Sequence, residues 1–78
     1  MPYSNITHYP RPWNREVYPV EGHIEIEAER WGEFDRVVGD QTQAQVLGHD
    51  DLGGDLIVAH VGCTSEAVVR RLTDRWAP

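Results

Sequence analysis

The side chains with the strongest metal-binding chemistry lie in the second half of the chain, where His49 and His60 flank the glycine pair Gly53 and Gly54. If the two flanking segments form a hairpin, either plausible register puts both histidines on one face, with Asp51 on the same side. A zinc site needs three or four converging ligands, and only the two histidines are placed firmly here. We therefore predict no metal and no cofactor, with one histidine in the core and the other in solvent.

The best position for a nucleophile is Cys63, which lies between a predicted strand and a predicted helix. Backbone amides and the helix dipole at such a junction bind anions and lower the pKa of a thiol. The arrangement resembles the loop of the cysteine phosphatases, in which five residues separate the cysteine from an arginine. Here six residues separate Cys63 from Arg70. The alternative is a buried thiol beside a helix cap at Ser65.

Residues 1–6, Met-Pro-Tyr-Ser-Asn-Ile, resemble the start of the small tautomerases. That resemblance implies that Pro2, freed by removal of the initiator methionine, acts as a general base. In the family an uninterrupted strand follows, whereas Pro10 and Pro12 interrupt it here. We predict no catalytic residue, and a small enzyme that uses Cys63 or Pro2 is the less favoured alternative.

The 78 residues predict a single domain, residues 1–78, with an extended arm over 1–22 and a core over 23–78. The arm contains four of the five prolines, which exclude a helix or a central strand. It also contains Trp13 and all three tyrosines, among them Tyr9. Either these rings cover one face of the sheet, or the arm docks onto a partner.

The hydrophobic pattern predicts an α+β fold, a small, mainly antiparallel sheet of three to four strands with one or two helices packed on one face. Residues 23–29 alternate like a strand, and the segments 43–49 and 56–62 form a hairpin. A helix runs from about Ser65 to Trp76. Residues 29–38 have helical spacing, but a tight turn that joins two strands remains open there.

The chain has a formal net charge of −6, and its seven basic residues are all arginines. Nucleic-acid binding depends on basic residues that neutralise phosphates, and anionic membranes repel an acidic protein. No apolar run is long enough to cross a bilayer, and the amino terminus lacks a signal-peptide pattern. These features predict a cytoplasmic protein, with no direct contact to nucleic acid or membrane, whose partner is a protein with a basic surface.

Three glutamates, Glu25, Glu27 and Glu29, alternate with apolar residues and are predicted to form a row of carboxylates on one face of a strand. Like charges along a strand repel one another, so such a row hints that the surface is used. The complete predicted partner-binding set consists of these three glutamates, the aspartates of the hairpin turn and two arm aromatics: Glu25, Glu27, Glu29, Asp50, Asp51, Asp55, Tyr9 and Trp13.

These features together favour a non-enzymatic, acidic protein-binding module. In size and charge the chain is similar to the inhibitors that bacteriophages encode against host nucleases and CRISPR complexes. That likeness implies a protein that blocks a basic nucleic-acid-binding surface of its target. The alternative is a structural or oligomerising subunit of a larger phage assembly, such as a homodimer joined through the aromatic arm.

Overall fold

A computed structural model of the protein describes residues 12–78. Three strands form one antiparallel sheet in the order β1-β3-β2, and two helices accompany it, which confirms the predicted α+β class. In chain order the elements are β1 (Val20–Glu27), a 3-10 turn (Ala28–Arg30), α1 (Trp31–Gly39), β2 (Ala44–Gly53), β3 (Leu56–Cys63) and α2 (Glu66–Trp76).

Strand β1 buries alternate residues, as the pattern predicts: Ile24 and Ile26 are fully buried against the helices, while Glu25 points to the other face. The strand begins at Val20, inside the stretch predicted as arm, and ends at Glu27 rather than at residue 29. It ends there because Glu27 is opposite Leu56, the first residue of β3, so no partner strand extends further. The predicted row of three carboxylates is therefore wrong at Glu29, which lies in the 3-10 turn.

Residues 31–39 form helix α1, which resolves the open choice between a helix and a strand turn. The helix packs Phe34 and Val38 into the main core. Phe34 also meets Trp76 edge to face, with ring centroids 5.2 Å apart. Aromatic pairs in this geometry add to the stability that burial alone gives, so this contact joins the two helices over the sheet.

Helix α2 packs an apolar stripe of Val68, Leu72 and Trp76 into the same core, as its spacing predicts. Ser65 occupies the predicted position before the helix, but its side chain makes no capping hydrogen bond. Within residues 12–78, no helix combines the length and the apolar character needed to cross a membrane.

The β2–β3 hairpin is confirmed, and Gly53 and Gly54 have the positive φ angles, 90° and 61°, that the turn requires. The pairing register shifts twice, between Val46 and Gly48 and between Asp51 and Gly53. Each such bulge gives one strand an extra residue and reverses the facing of the residues beyond it.

The register shift between Asp51 and Gly53, next to the hairpin turn, separates the two histidines that the sequence places together. His49 is opposite Ala59, on the side of the sheet that the helices cover, whereas His60 is opposite Gly48 and points to the other face. The predicted shared face is therefore wrong. The prediction that one histidine is solvated is also wrong, because the two residues are 9% and 1% exposed.

Residues 12–19 pack on the sheet face opposite the helices. Trp13 lies over Gly62 of β3, and its indole N–H donates to the carbonyl of Tyr18 at 2.7 Å. Gln45 of β2 holds the same segment, because its side-chain amide donates to the carbonyl of Pro12 at 2.6 Å and accepts from the backbone of Asn14 at 2.9 Å. The interpretation that arm rings cover the sheet is confirmed for Trp13; Tyr9 lies outside the described residues.

Replacing Gly62 by alanine should destabilise the protein, because the new Cβ would collide with the Trp13 indole nitrogen and lie 3.1 Å from the Tyr18 Cβ. We expect a loss of about 1–3 kcal/mol in the free energy of unfolding, measured by urea denaturation. The matched control is Gly32→Ala in helix α1, where nothing lies within 4 Å of the added Cβ. That change should instead stabilise the protein by roughly 0.5–1 kcal/mol. Equal stability of the Gly62→Ala variant and the wild type would contradict the packing of Trp13 on β3.

Candidate functional site

An acidic groove lies at the end of the sheet where β1 gives way to the 3-10 turn. It has a volume of about 560 Å³ and is lined by Glu27, Ala28, Glu29, Asp55, Leu56 and Pro78. The backbone N–H of Ala28 donates to the carbonyl of Asp55 at 2.7 Å, which fixes the hairpin turn against the end of β1. Three of the predicted partner-binding residues therefore converge here from two separate segments. We call these six residues the acidic groove.

The other predicted acidic residues do not line the acidic groove. Glu25 is exposed on β1, on the sheet face opposite the helices. The side chain of Asp51 is 65% exposed, and one of its oxygens lies 3.8 Å from Nδ1 of His49. Both remain surface charges, but they lie apart from the three carboxylates that converge.

Asp50 was predicted to be part of the exposed acidic surface, and this prediction is wrong because the residue is only 8% exposed. Its Oδ2 lies 2.9 Å from Nε2 of His60, a fully buried histidine on the central strand. A buried carboxylate is costly unless it is hydrogen-bonded, and His60 supplies a bond. Asp50 therefore belongs to the interior of the protein and not to its exposed acidic surface.

The contact between Asp50 and His60 is one end of a larger polar cluster. His23 of β1 is directly opposite His60, and the two rings meet edge to face with centroids 5.0 Å apart. Glu21, two residues before His23 on the same strand face, has its Oε2 2.8 Å from Nε2 of His23. We call Glu21, His23, His60 and Asp50 the His-carboxylate cluster. The Glu-x-His spacing on one strand face was the available sequence signal for Glu21 and His23, which sequence reasoning missed.

His49 lies away from that cluster, on the opposite side of the sheet. Its ring contacts Trp31 of α1, with centroids 4.4 Å apart. Trp31 thus covers His49 from the side of the helices. His49 and His60 cannot share a ligand in this arrangement.

Cys63 is buried in the main core, where it is the last residue of β3. Burial raises the pKa of the Cys63 thiol to about 11. The thiolate is the nucleophilic form of cysteine, so the raised pKa keeps this thiol protonated and unreactive at neutral pH. The alternative weighed from the sequence, a buried structural cysteine, fits this position.

Of the two aromatic residues in the predicted partner-binding set, only Trp13 is among the described residues. Trp13 is half-buried, because one side of its ring faces the sheet and the Arg15 guanidinium lies 4.0 Å above the ring. Its position on β3 explains its burial without any partner. Tyr9 lies outside the described residues.

Comparison of the chain with family models, with curated proteins and with solved structures finds no match.

The Cys63 thiol should react slowly with Ellman's reagent in the native protein and rapidly in urea, because burial keeps it protonated and inaccessible. The raised pKa of the Cys63 thiol also makes the free energy of unfolding depend on pH. The unfolded thiol loses its proton near pH 9.0 and the folded thiol only near pH 11. The contribution of the thiol to the stability of the folded protein is therefore complete below pH 9 and is lost as the pH rises from 9 to 11. Cys63→Ala should lack this extra loss when both proteins are unfolded in urea across that range. Fast native labelling would contradict the burial of the thiol.

Proposed function

We propose that the protein is a non-enzymatic binding module whose acidic groove receives a basic side chain from a protein partner. The observation that carries this proposal is the convergence of Glu27, Glu29 and Asp55 around one groove. The three carboxylates come from two segments, the end of β1 with the 3-10 turn that follows it and the hairpin turn. Because these segments are tied together by a backbone hydrogen bond, the charges are held close before any partner arrives.

The groove also has an apolar wall. Leu56 is 37% exposed, which is unusual for a large aliphatic residue of a central strand, and Ala28 and Pro78 line the same groove. A lysine or arginine side chain combines an aliphatic stem with a charged end. Such a side chain can lay its stem on Leu56 and bring its charge to the carboxylates, and an arginine can bind a carboxylate through two parallel hydrogen bonds.

Among the described residues, no side chain forms an ion pair with the carboxylates of the acidic groove, those of Glu27, Glu29 and Asp55. Arg30 is adjacent in sequence, but its guanidinium lies 3.8 Å from Glu33 and 4.5 Å from the centre of the Trp76 ring. Clustered charges without a partner repel one another, and a cation from another protein relieves that repulsion.

The net negative charge of the protein also favours binding to a basic partner. A net charge of −6 attracts basic surfaces over a distance and speeds encounter at low salt. Basic surfaces of this kind are typical of proteins that bind nucleic-acid phosphates. A module that occupies such a surface would inhibit its owner by excluding the nucleic acid, and this is the inhibitory role that we propose.

The binding role is tested with an arginine-rich peptide as the probe, by fluorescence anisotropy at several salt concentrations. The triple variant Glu27→Gln, Glu29→Gln, Asp55→Asn removes the charges of the acidic groove. We expect it to bind the peptide at least about tenfold more weakly than the wild type at low salt. Added salt should weaken wild-type binding steeply and variant binding much less.

The matched control is the triple variant Glu16→Gln, Asp40→Asn, Asp74→Asn, which removes the same number of charges from exposed positions outside the acidic groove. It should keep most of the wild-type affinity. Equal losses in the two triple variants would mean that only net charge matters, and the groove would not be the binding site. The same three proteins then serve as baits in a bacterial lysate, where a basic nucleic-acid-binding protein retained by the wild type and the control, and lost from the groove variant, is the expected partner.

A further inference from the structure

The His-carboxylate cluster brings metal-binding atoms together on the sheet face opposite the helices. Pairing of β1 with β3 puts His23 directly across from His60, and Glu21 is on the same face two residues earlier. One ligand atom from each of these three residues lies within 4.8 Å of the other two. Two ligands of a tetrahedral zinc ion, each bound at 2.0–2.1 Å, are about 3.3 Å apart. The three atoms would therefore have to approach one another by up to about 1.5 Å to share one ion.

Asp50 orients the ring of His60 for binding a metal ion. Oδ2 of Asp50 lies 2.9 Å from Nε2 of His60, where a carboxylate oxygen accepts a hydrogen bond from an Nε2–H. In that tautomer the lone pair of the ring is on Nδ1. In proteins, histidines that bind metals usually donate their other ring N–H to a carboxylate or carbonyl, which fixes both the tautomer and the ring orientation. Asp50 is a positioning residue of this kind.

The burial of the cluster changes from one end to the other. The side chains of His60 and Asp50 are 1% and 11% exposed, whereas those of His23 and Glu21 are 21% and 43% exposed. The inner pair is therefore fixed by packing, and the outer pair reaches solvent and has room to adjust around an arriving ion. This arrangement supplies both a rigid base and an entry path.

We propose that Glu21, His23 and His60 bind a divalent transition-metal ion, zinc foremost, with Asp50 orienting His60. Two imidazole nitrogens and one carboxylate oxygen suit zinc and its neighbours in the first transition row, and they disfavour calcium and magnesium, which take oxygen ligands. Three protein ligands leave the fourth tetrahedral position to water. The site lies on a different part of the sheet from the acidic groove, so it is independent of the proposed function.

The test uses the untagged full-length protein and zinc chloride alone, titrated by calorimetry, with cobalt(II) absorption as a report on the coordination geometry. We expect one zinc per chain, visible d–d absorption bands typical of a tetrahedral cobalt site, and a rise in the melting temperature with zinc. Glu21→Gln and His23→Gln should each weaken zinc binding at least about tenfold. Asp50→Asn should weaken it about 10- to 100-fold and keep the cobalt bands, as expected for a residue that acts through a ligand.

Two control variants separate this site from incidental binding. Glu25→Gln removes a carboxylate from the same face of β1, and His49→Gln removes a histidine from the other side of the sheet. Both should bind zinc like the wild type. Absence of saturable zinc binding in the wild type would overturn the proposal, as would an equal loss of affinity in the control variants and in His23→Gln. If His23→Gln fails to fold, Glu21→Gln, at an exposed position, decides the question by itself.

Discussion

The rest of the structure depends on the central strand β3, which pairs along both edges and is covered on both faces. Ile57, Ala59 and Val61 belong to the main core under the two helices, while Val58 and His60 are buried on the opposite face. A strand in this position must satisfy every backbone hydrogen bond through its neighbours, because water cannot reach it. Its run of apolar residues on both faces is the sequence pattern typical of such a strand. β1 and β2 are both positioned by their pairing with it.

Burial on both faces explains why a polar residue on β3 matters. His60 contacts Asp50 from one neighbouring strand and His23 from the other. Its side chain therefore links the two outer strands across the central one. A buried imidazole and a buried carboxylate would each destabilise the fold alone, and they are tolerated because they satisfy each other. Polar contacts in the interior also favour one strand register over others, since a slip would separate them.

The acidic groove and the His-carboxylate cluster, the two candidate sites, differ in their exposure to solvent. In the acidic groove the carboxylates are near solvent and form no ion pair among residues 12–78. In the His-carboxylate cluster the inner groups are desolvated and held in a fixed geometry by hydrogen bonding. Electrostatic attraction at the first region is long-ranged and weakened by salt, whereas binding at the second would depend on exact ligand placement.

The sequence by itself determined the fold class and most of the elements. Alternation around Ile24 and Ile26, the glycine pair at the hairpin and the helical stripe ending at Trp76 each depend on local periodicity or turn chemistry, which a sequence displays directly. It also identified Glu27, Glu29 and Asp55 as surface charges. Only the tertiary structure decided that these three meet in one groove, because the backbone bond between Ala28 and Asp55 joins segments that are far apart in the chain. The bulge between Asp51 and Gly53 had the largest effect on the site: by shifting the register by one residue from that of the turn, it put His49 under Trp31 and Asp50 on the face of His60. No local pattern predicts such a shift, because it is set by how the two strands pack against the helices and against β1.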